Sequence, residues 1–315
     1  MPAPAFSLGL DLGGTKLEAA LFDPRGTQVW RRRTATPAGD YSATLRALVG
    51  DVEHARGVVA SLAAGAAMTI GVGTPGTQTP SGRMKNCNST CLNGKPLQAD
   101  LQAAIAQPVR LANDANCLAL SEATDGAGAG AAVVFAVILG TGTGAGIVVN
   151  GHLLSGPNGL AGEWGHNPLP WGTAGEDPVY GCYCGQRGCV ETLVCGPGLA
   201  REHAGRHGGA LDAVAIAAGA AQGDAACAAT LQRHARRLAR ALASVINLLD
   251  PDVIVLGGGL SKLQHLYTEV PALWPNWVFS AGSDGPGGTV RTRLLPAVHG
   301  DASGVRGAAW LWRAG

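Results

Sequence analysis

Phe6-Ser7-Leu8-Gly9-Leu10-Asp11-Leu12-Gly13-Gly14-Thr15-Lys16-Leu17-Glu18-Ala19-Ala20-Leu21-Phe22 reads as an apolar run, a Gly/Thr turn and a second apolar run. Short apolar runs bounded by turn residues are buried strands. Glycine between them lets backbone N–H groups approach a partner closely. Working outward, Asp23-Pro24-Arg25-Gly26 makes a further turn and Thr27–Thr34 a third extended piece. There Arg31-Arg32-Arg33 reads as a solvated edge. A helix follows over Tyr41–Leu62, a strand over Met68–Gly73, and a strand over Val109–Ala112 that ends at Asn113-Asp114. A helix then covers Ala115–Ala123.

The pattern restarts in mid-chain. Val133–Leu139, Gly140–Gly144 and Ile147–Val149 repeat strand, glycine turn and strand, which suggests duplicated halves. Leu231, Leu238, Leu242, Val245 and Leu249 recur at helical spacing, so a long helix spans Ala225–Leu249. Arg233, Arg236, Arg237 and Arg240 lie on its other side and read as a solvated face. Val253–Leu256 is a buried strand, Gly257-Gly258-Gly259 a turn and Ser303–Trp312 a closing helix.

Composition narrows the class. Lys+Arg 23 against Asp+Glu 22 leaves a charge of +1, which offers nothing to nucleic acid or an anionic membrane. Hydrophobic residues make up 46%, enough for a large core and too many for a disordered chain. The uncharged stretch from Ala131 to Val149 is broken by its glycine turn and reads as two strands rather than a membrane span. The opening MPAPAFSLGLDLGG has no basic region of the kind that starts a secretory signal. A cytoplasmic protein of two domains is expected.

Three loops are rich enough in glycine to hold phosphate: Gly13–Lys16, Gly140–Gly144 and Gly257–Gly259. No G-x-x-x-x-G-K-[ST] string occurs. Gly71–Gly76 fits G-x-G-x-x-G and Gly140–Ala145 fits its variant, but neither runs into a helix, so dinucleotide binding fails at both. Each loop alone is also compatible with a plain tight turn. Together they resemble the three nucleotide-contacting segments of the actin-like sugar kinase fold. That resemblance puts Asp11 near a Mg²⁺–phosphate group, since a hard cation takes oxygen ligands.

His166, Cys182, Cys184 and Cys189 form a second constellation. One imidazole and three thiolates are the composition of a closed, tetrahedral structural zinc site. Gly185 and Gly188 let the chain fold back so that Cys189 meets Cys184.

On these residues the chain resembles the ROK family (repressor, open reading frame, kinase) over essentially its whole length. The motifs are LGLDLGGTK, LANDANCLALSEA, ILGTGTGAGI, AGEWGHNPLPW, CYCGQRGCVET, LDPDVIVLGGGLS and HGDASGVRGAAWLW. Lys85–Thr90, Leu92–Leu97, Gly162–Trp171 and the C-terminal run are most similar to the bacterial fructokinase, or mannokinase, branch. Two features depart from it: fifteen residues separate His166 from Cys182, and Cys91 stands in place of a bulky aromatic.

The resemblance implies a fold class and an activity. The fold is α/β, a two-domain actin-like ATPase (ribonuclease H-like) sugar kinase fold with a structural zinc loop. Its domains are 1–117, joined by the C-terminal helix 301–315, and 118–300. The activity is phosphorylation of a hexose at the 6-hydroxyl by Mg-ATP, with D-fructose giving fructose 6-phosphate. Mannose, glucose and the N-acetylhexosamines are alternative acceptors. Asp114 is the general base, and as a helix-opening residue it also reads as an N-cap. Asn113, Asp114, Glu163, His166 and Glu191 contact the sugar. His166 has two roles, with one ring nitrogen on zinc and the other toward the sugar. Trp164 and Trp171 line the pocket or pack in the core.

Asp11, Gly13, Gly14, Thr15, Lys16, Thr141, Gly142, Thr143, Gly144, Gly257, Gly258 and Gly259 serve the nucleotide. The cofactors implied are ATP, Mg²⁺ and structural Zn²⁺, and the partners are a sugar, Mg-ATP and a second copy in a homodimer, without nucleic acid or membrane. A sugar-sensing repressor would need a DNA-binding helix-turn-helix ahead of residue 13, for which the sequence leaves no room. A non-catalytic sugar sensor conflicts with an intact Asp114.

Overall fold

The computed structural model describes residues 5–279 and 290–313, which form two compact units. Of these, the first unit takes 5–126, 151–161 and 301–313, and the second takes 127–150, 162–279 and 290–300.

The first unit contains β1 (Phe6–Leu12), β2 (Lys16–Phe22), β3 (Gln28–Ala35), α1 (Tyr41–Leu62), β4 (Met68–Thr74), α2 (Leu97–Ile105), β5 (Arg110–Asn113) and α3 (Asp114–Asp125). The strands run β3-β2-β1-β4-β5, the first three antiparallel and β4 and β5 parallel to β1. A domain break after residue 117 would cut α3, which the i→i+4 hydrogen bonds of its backbone hold together within the first unit. The boundary read from the sequence is therefore corrected.

Both faces of this sheet are covered, which explains why β1 and β2 are apolar almost throughout. Leu8, Leu10 and Leu12 alternate onto the face that packs with Leu48 and Val52 of α1. Ala20 and Phe22 face the C-terminal helix, Ser303–Trp310. That helix lies directly on the strand backbones because Gly9 and Gly71, paired across β1 and β4, have no side chain. A methyl group at either would overlap the Val305 or Ala308 carbonyl.

The second unit contains β6 (Val133–Leu139), β7 (Thr143–Val149), α4 (Gly196–His207), α5 (Ala213–Ala221), α6 (Ala225–Leu249), β8 (Val253–Gly257), α7 (Leu266–Leu273) and β9 (Arg293–Pro296). β7, β6, β8 and β9 lie side by side in that order, with β7 antiparallel to β6 and the others parallel. The strand–glycine turn–strand unit thus occurs twice, as the β1/β2 and β6/β7 hairpins. The second turn is tighter than the sequence suggests, since β7 resumes at Thr143, paired with Leu139, and not at Ile147. Gly257 likewise belongs to β8.

Two readings of arginine change. Arg237 and Arg240 on α6 are not on a solvated face: their side chains are only 2% and 3% exposed. Arg237 Nε is 2.8 Å from Asp177 Oδ1, and its guanidinium also pairs with Glu202. Arg240 holds Asp177 Oδ2 at 2.7 Å and donates to the Trp171 carbonyl at 2.6 Å. The segment between His166 and Cys182 folds over this stretch of α6 and supplies the carboxylate that makes burial of the cations possible. Arg236, by contrast, is exposed. In β3, Arg31 and Arg33 turn onto the buried Glu18 of β2 instead of simply edging the sheet.

Among the described residues no single helix is long and apolar enough to cross a membrane. The apolar stripe of α6 (Leu231, Leu238, Leu242 and Val245) is buried in the core of the second unit.

Candidate active site

In the first unit the chemistry gathers at the ends of β1 and β5. Asn113, the last residue of β5, caps α3, its Oδ1 accepting from the Asn116 N–H at 2.7 Å. The capping role that the sequence offered to Asp114 therefore belongs to Asn113, because the strand's extended backbone persists through residue 113. The cap uses the carbonyl end of the Asn113 amide and not its NH₂ donor.

Asp114 is the first helical residue and is exposed, with Oδ1 taking the Ala115 N–H at 2.8 Å. Desolvation by the surrounding protein raises its pKa above the ordinary carboxylate value, and backbone hydrogen bonds from Ala115 and from its own N–H oppose the shift.

Asp11, at the end of β1, is pushed up to about 6, first by burial and then by the Asp114 and Glu18 carboxylates, with Lys16 opposing. Glu18 sits directly across from Asp11 in the β1/β2 register. Burial would raise Glu18 as well, but hydrogen bonds from Arg33, Lys16 and Arg31 outweigh it and hold the carboxyl below its usual value. Lys16 is thus committed to Glu18, at 3.0 Å. The Gly13 N–H closes the hairpin onto the Lys16 carbonyl at 2.9 Å, leaving Gly14 and Thr15 exposed at the tip. Gly304 backs Asp11, and a methyl group there would lie 2.6 Å from Asp11 Oδ2. These carboxylate oxygens suit a hard cation such as Mg²⁺.

In the second unit Thr143 is not presented outward. It is 4% exposed, and its N–H donates to Glu191 Oε2 at 2.8 Å. Glu191 opens a short helix, Glu191–Val194, that begins two residues after Cys189. A side chain at Gly142 would lie 2.8 Å from the same oxygen. Thr141 and Gly142 remain at the tip of the turn. Gly144 is drawn into β7, paired with Ile138, while Gly258 (φ +82°) and Gly259 are exposed beyond β8.

Glu163 precedes a single helical turn, Trp164–His166, that brings His166 to the cysteines. The Cys182–Gly185 turn closes with the Gly185 N–H on the Cys182 carbonyl at 3.0 Å, and Gly185 and Gly188 both take positive φ, as the fold-back requires. The four ligand atoms lie within 4.8 Å of one another. Cys184 and Cys189 Sγ are 3.7 Å apart, and His166 Nδ1 is 3.5 Å from Cys182 Sγ. Zinc bound tetrahedrally at about 2.3 Å to sulfur and about 2.05 Å to nitrogen gives edges of about 3.8 and 3.6 Å. The donor set fits zinc in kind and in spacing.

His166 Nε2, the nitrogen expected to face a sugar, instead lies 3.1 Å from the Tyr183 hydroxyl. Tyr183 and the Thr143–Glu191 link escape a sequence reading. The position of Tyr183 between two cysteine ligands was the one available signal. Trp164 is a core residue, 7% exposed and edge-on to Phe135 at 5.8 Å, whereas Trp171 is exposed.

The paired strand–glycine turn–strand units define an actin-like ATPase sugar kinase fold. The ROK hexokinase of Thermus thermophilus has it at TM-score 0.81 and 30% identity, each chain covered over 96%. So does a ROK family glucokinase of Streptomyces griseus in complex with glucose and AMPPNP, at TM-score 0.75 and 27% identity over 99% of this chain and 100% of that one. The chain belongs to the ROK family, whose model matches residues 7–314. It is 38% identical over 308 residues to the N-acetyl-D-glucosamine kinase of Pectobacterium atrosepticum, covering 96% of this chain and 97% of that protein. Further N-acetyl-D-glucosamine kinases match at 37–38%. The resemblance to the fructokinase branch finds no support among these relatives.

Proposed function

We propose that the chain is a hexose kinase that transfers the γ-phosphoryl group of ATP to the 6-hydroxyl of N-acetyl-D-glucosamine. The observation that carries this reading is 38% identity over 96% of the chain to an enzyme of that activity. Fructose, the acceptor suggested by local motifs, gives way to it.

Asp114 accepts the hydroxyl proton. Its Oδ1 is steadied by the Ala115 N–H. A pKa raised toward neutrality improves a base while the helix N-terminus still favours the ionised form. Asn113 offers its amide NH₂ to a sugar oxygen, since its carbonyl is occupied by the cap. Glu163 and Glu191 supply acceptors for the remaining hydroxyls, with His166 beside them.

Asp11 orients the Mg²⁺ that accompanies ATP. The glycine tips at Gly14-Thr15, Thr141-Gly142 and Gly258-Gly259 receive phosphate and nucleotide atoms, since backbone N–H groups in such turns can approach an anion closely. Zinc held by His166, Cys182, Cys184 and Cys189 supplies rigidity to the loop that leads into Glu191, and no chemistry.

The test is kcat/KM for N-acetyl-D-glucosamine, fructose, mannose and glucose with Mg-ATP under one set of conditions. N-acetyl-D-glucosamine should lead by at least about tenfold, or about 1.4 kcal/mol of transition-state preference. A tenfold lead for fructose or glucose would reject the acceptor and leave the phosphotransfer standing.

A further inference from the structure

Tyr183 has an unusual combination of properties. Its ring is 82% exposed, in a chain that buries most of its large apolar groups. Its hydroxyl is nevertheless tied down, 3.1 Å from His166 Nε2, with the two rings edge to face at 5.2 Å. The opposite ring nitrogen of His166 faces the thiols, at 3.5 Å from Cys182 Sγ. A histidine that gives Nδ1 to a metal carries its proton on Nε2, so that N–H must donate and Tyr183 Oη accepts.

The phenol's own proton is then left to point away from His166. The hydroxyl therefore stands beside His166, one of the residues assigned to the sugar, on an exposed ring that solvent and ligand can reach.

We infer that Tyr183 is a substrate-binding residue of this kinase: its hydroxyl, oriented by His166 Nε2–H, donates a hydrogen bond to an oxygen of the acceptor sugar. The contact expected of His166 thereby passes through one more side chain. The inference rests on the sugar-kinase reading above and adds to it a specificity determinant that stands between two zinc ligands. A phenol there favours an acceptor oxygen within its reach and disfavours a sugar that leaves the O–H without a partner.

Tyr183→Phe removes the oxygen and keeps the exposed ring, so folding is not at issue. Steady-state kinetics should show KM for the sugar raised on the order of tenfold, with kcat and KM for ATP within about twofold and zinc content unchanged. In the wild type, one monodeoxy analogue of the acceptor should lose a similar factor, and Tyr183→Phe should no longer distinguish that analogue from the parent sugar. An unchanged sugar KM would overturn the inference. So would a loss of zinc in step with activity, which would make Tyr183 a support for the metal alone. A wild-type enzyme that phosphorylates no hexose would refute the kinase reading, and this inference with it, before any variant is compared. If the wild type prefers another hexose, the same measurements on that sugar decide the role of Tyr183.

Discussion

The backbone N–H of Thr143 donates to Glu191 Oε2 at 2.8 Å, joining the first residue of β7 to the residue that follows the zinc loop. One carboxylate oxygen thus fixes the glycine turn assigned to phosphate, while the rest of that side chain is assigned to the sugar. The turn tolerates this closeness only because residue 142 is glycine.

Glu191→Ala should lower kcat/KM by on the order of a hundredfold or more and raise KM for both sugar and ATP, because it removes a charged acceptor and frees the turn. Glu191→Gln keeps an oxygen for Thr143 and should spare KM for ATP while still impairing sugar binding. Equal damage to both constants in the Gln variant would show that the link to Thr143 does not matter. Gly142→Ala should reproduce the ATP defect with the glutamate intact.

Asp114→Asn should abolish turnover by about 10²–10⁴-fold while calorimetry still detects binding of sugar and Mg-ATP. The amide preserves the shape and cannot take the proton. More than a tenth of the wild-type rate in the purified variant would remove Asp114 from its role.

Metal analysis of protein prepared without an affinity tag should find close to one zinc per chain. Cys184→Ser should lower zinc content, thermal stability and activity together, since a site of this composition couples metal binding to local folding. Active enzyme with no zinc would contradict the assignment.

Arg237 and Arg236 are neighbours on α6 with opposite fates. Arg237→Met leaves Asp177 and Glu202 short of a buried partner and should cost about 3 kcal/mol in urea denaturation, at the low end of what breaking a buried pair costs. The other arginines on Glu202 and Asp177 soften the loss. Arg236→Ala removes an exposed guanidinium 3.9 Å from Glu176 and should stay within about 0.5 kcal/mol of wild type.

His234 is fully buried on α6, with Nε2 on the Val194 carbonyl at 2.9 Å. Burial pushes its pKa down to about 4, against 6.5 unfolded, with the Val194 hydrogen bond opposing. Between those values the unfolded chain binds the extra proton, so the His234 contribution falls by up to about 3 kcal/mol as pH drops from 6.5 to 4. Asp11, raised to about 6, acts in the opposite sense over part of that range. The comparison is therefore between wild type and His234→Gln at each pH, and the gap in stability should narrow on acidification. A constant gap would assign the pH dependence to other groups.

Much of the architecture is legible in local sequence. The β1/β2 hairpin, α1 and α6 follow from periodicity and turn residues alone, and three cysteines with a histidine announce a metal by composition. Asn113-Asp114 also stands out, although which of the two caps α3 depends on the residue at which the extended backbone gives way, and a pattern locates that only to within a residue or two. The acceptor sugar was not legible: short motifs pointed to fructose, whereas identity along the whole chain supports N-acetyl-D-glucosamine, because selectivity sums many contacts that no single motif contains.

By itself, then, the sequence determined where strands, helices and glycine turns lie and which side chains could bind a metal, since these depend on neighbours within a few residues. Tertiary structure alone decided that Arg237 and Arg240 are buried, that the Thr143 N–H belongs to Glu191 and that Tyr183 covers His166 Nε2. Arg237 meets Asp177 across 60 residues of chain and Thr143 meets Glu191 across 48. Whether a charge or an N–H faces water or a partner is set by whichever distant segment folds over it, and that segment leaves no periodic mark at the position it covers.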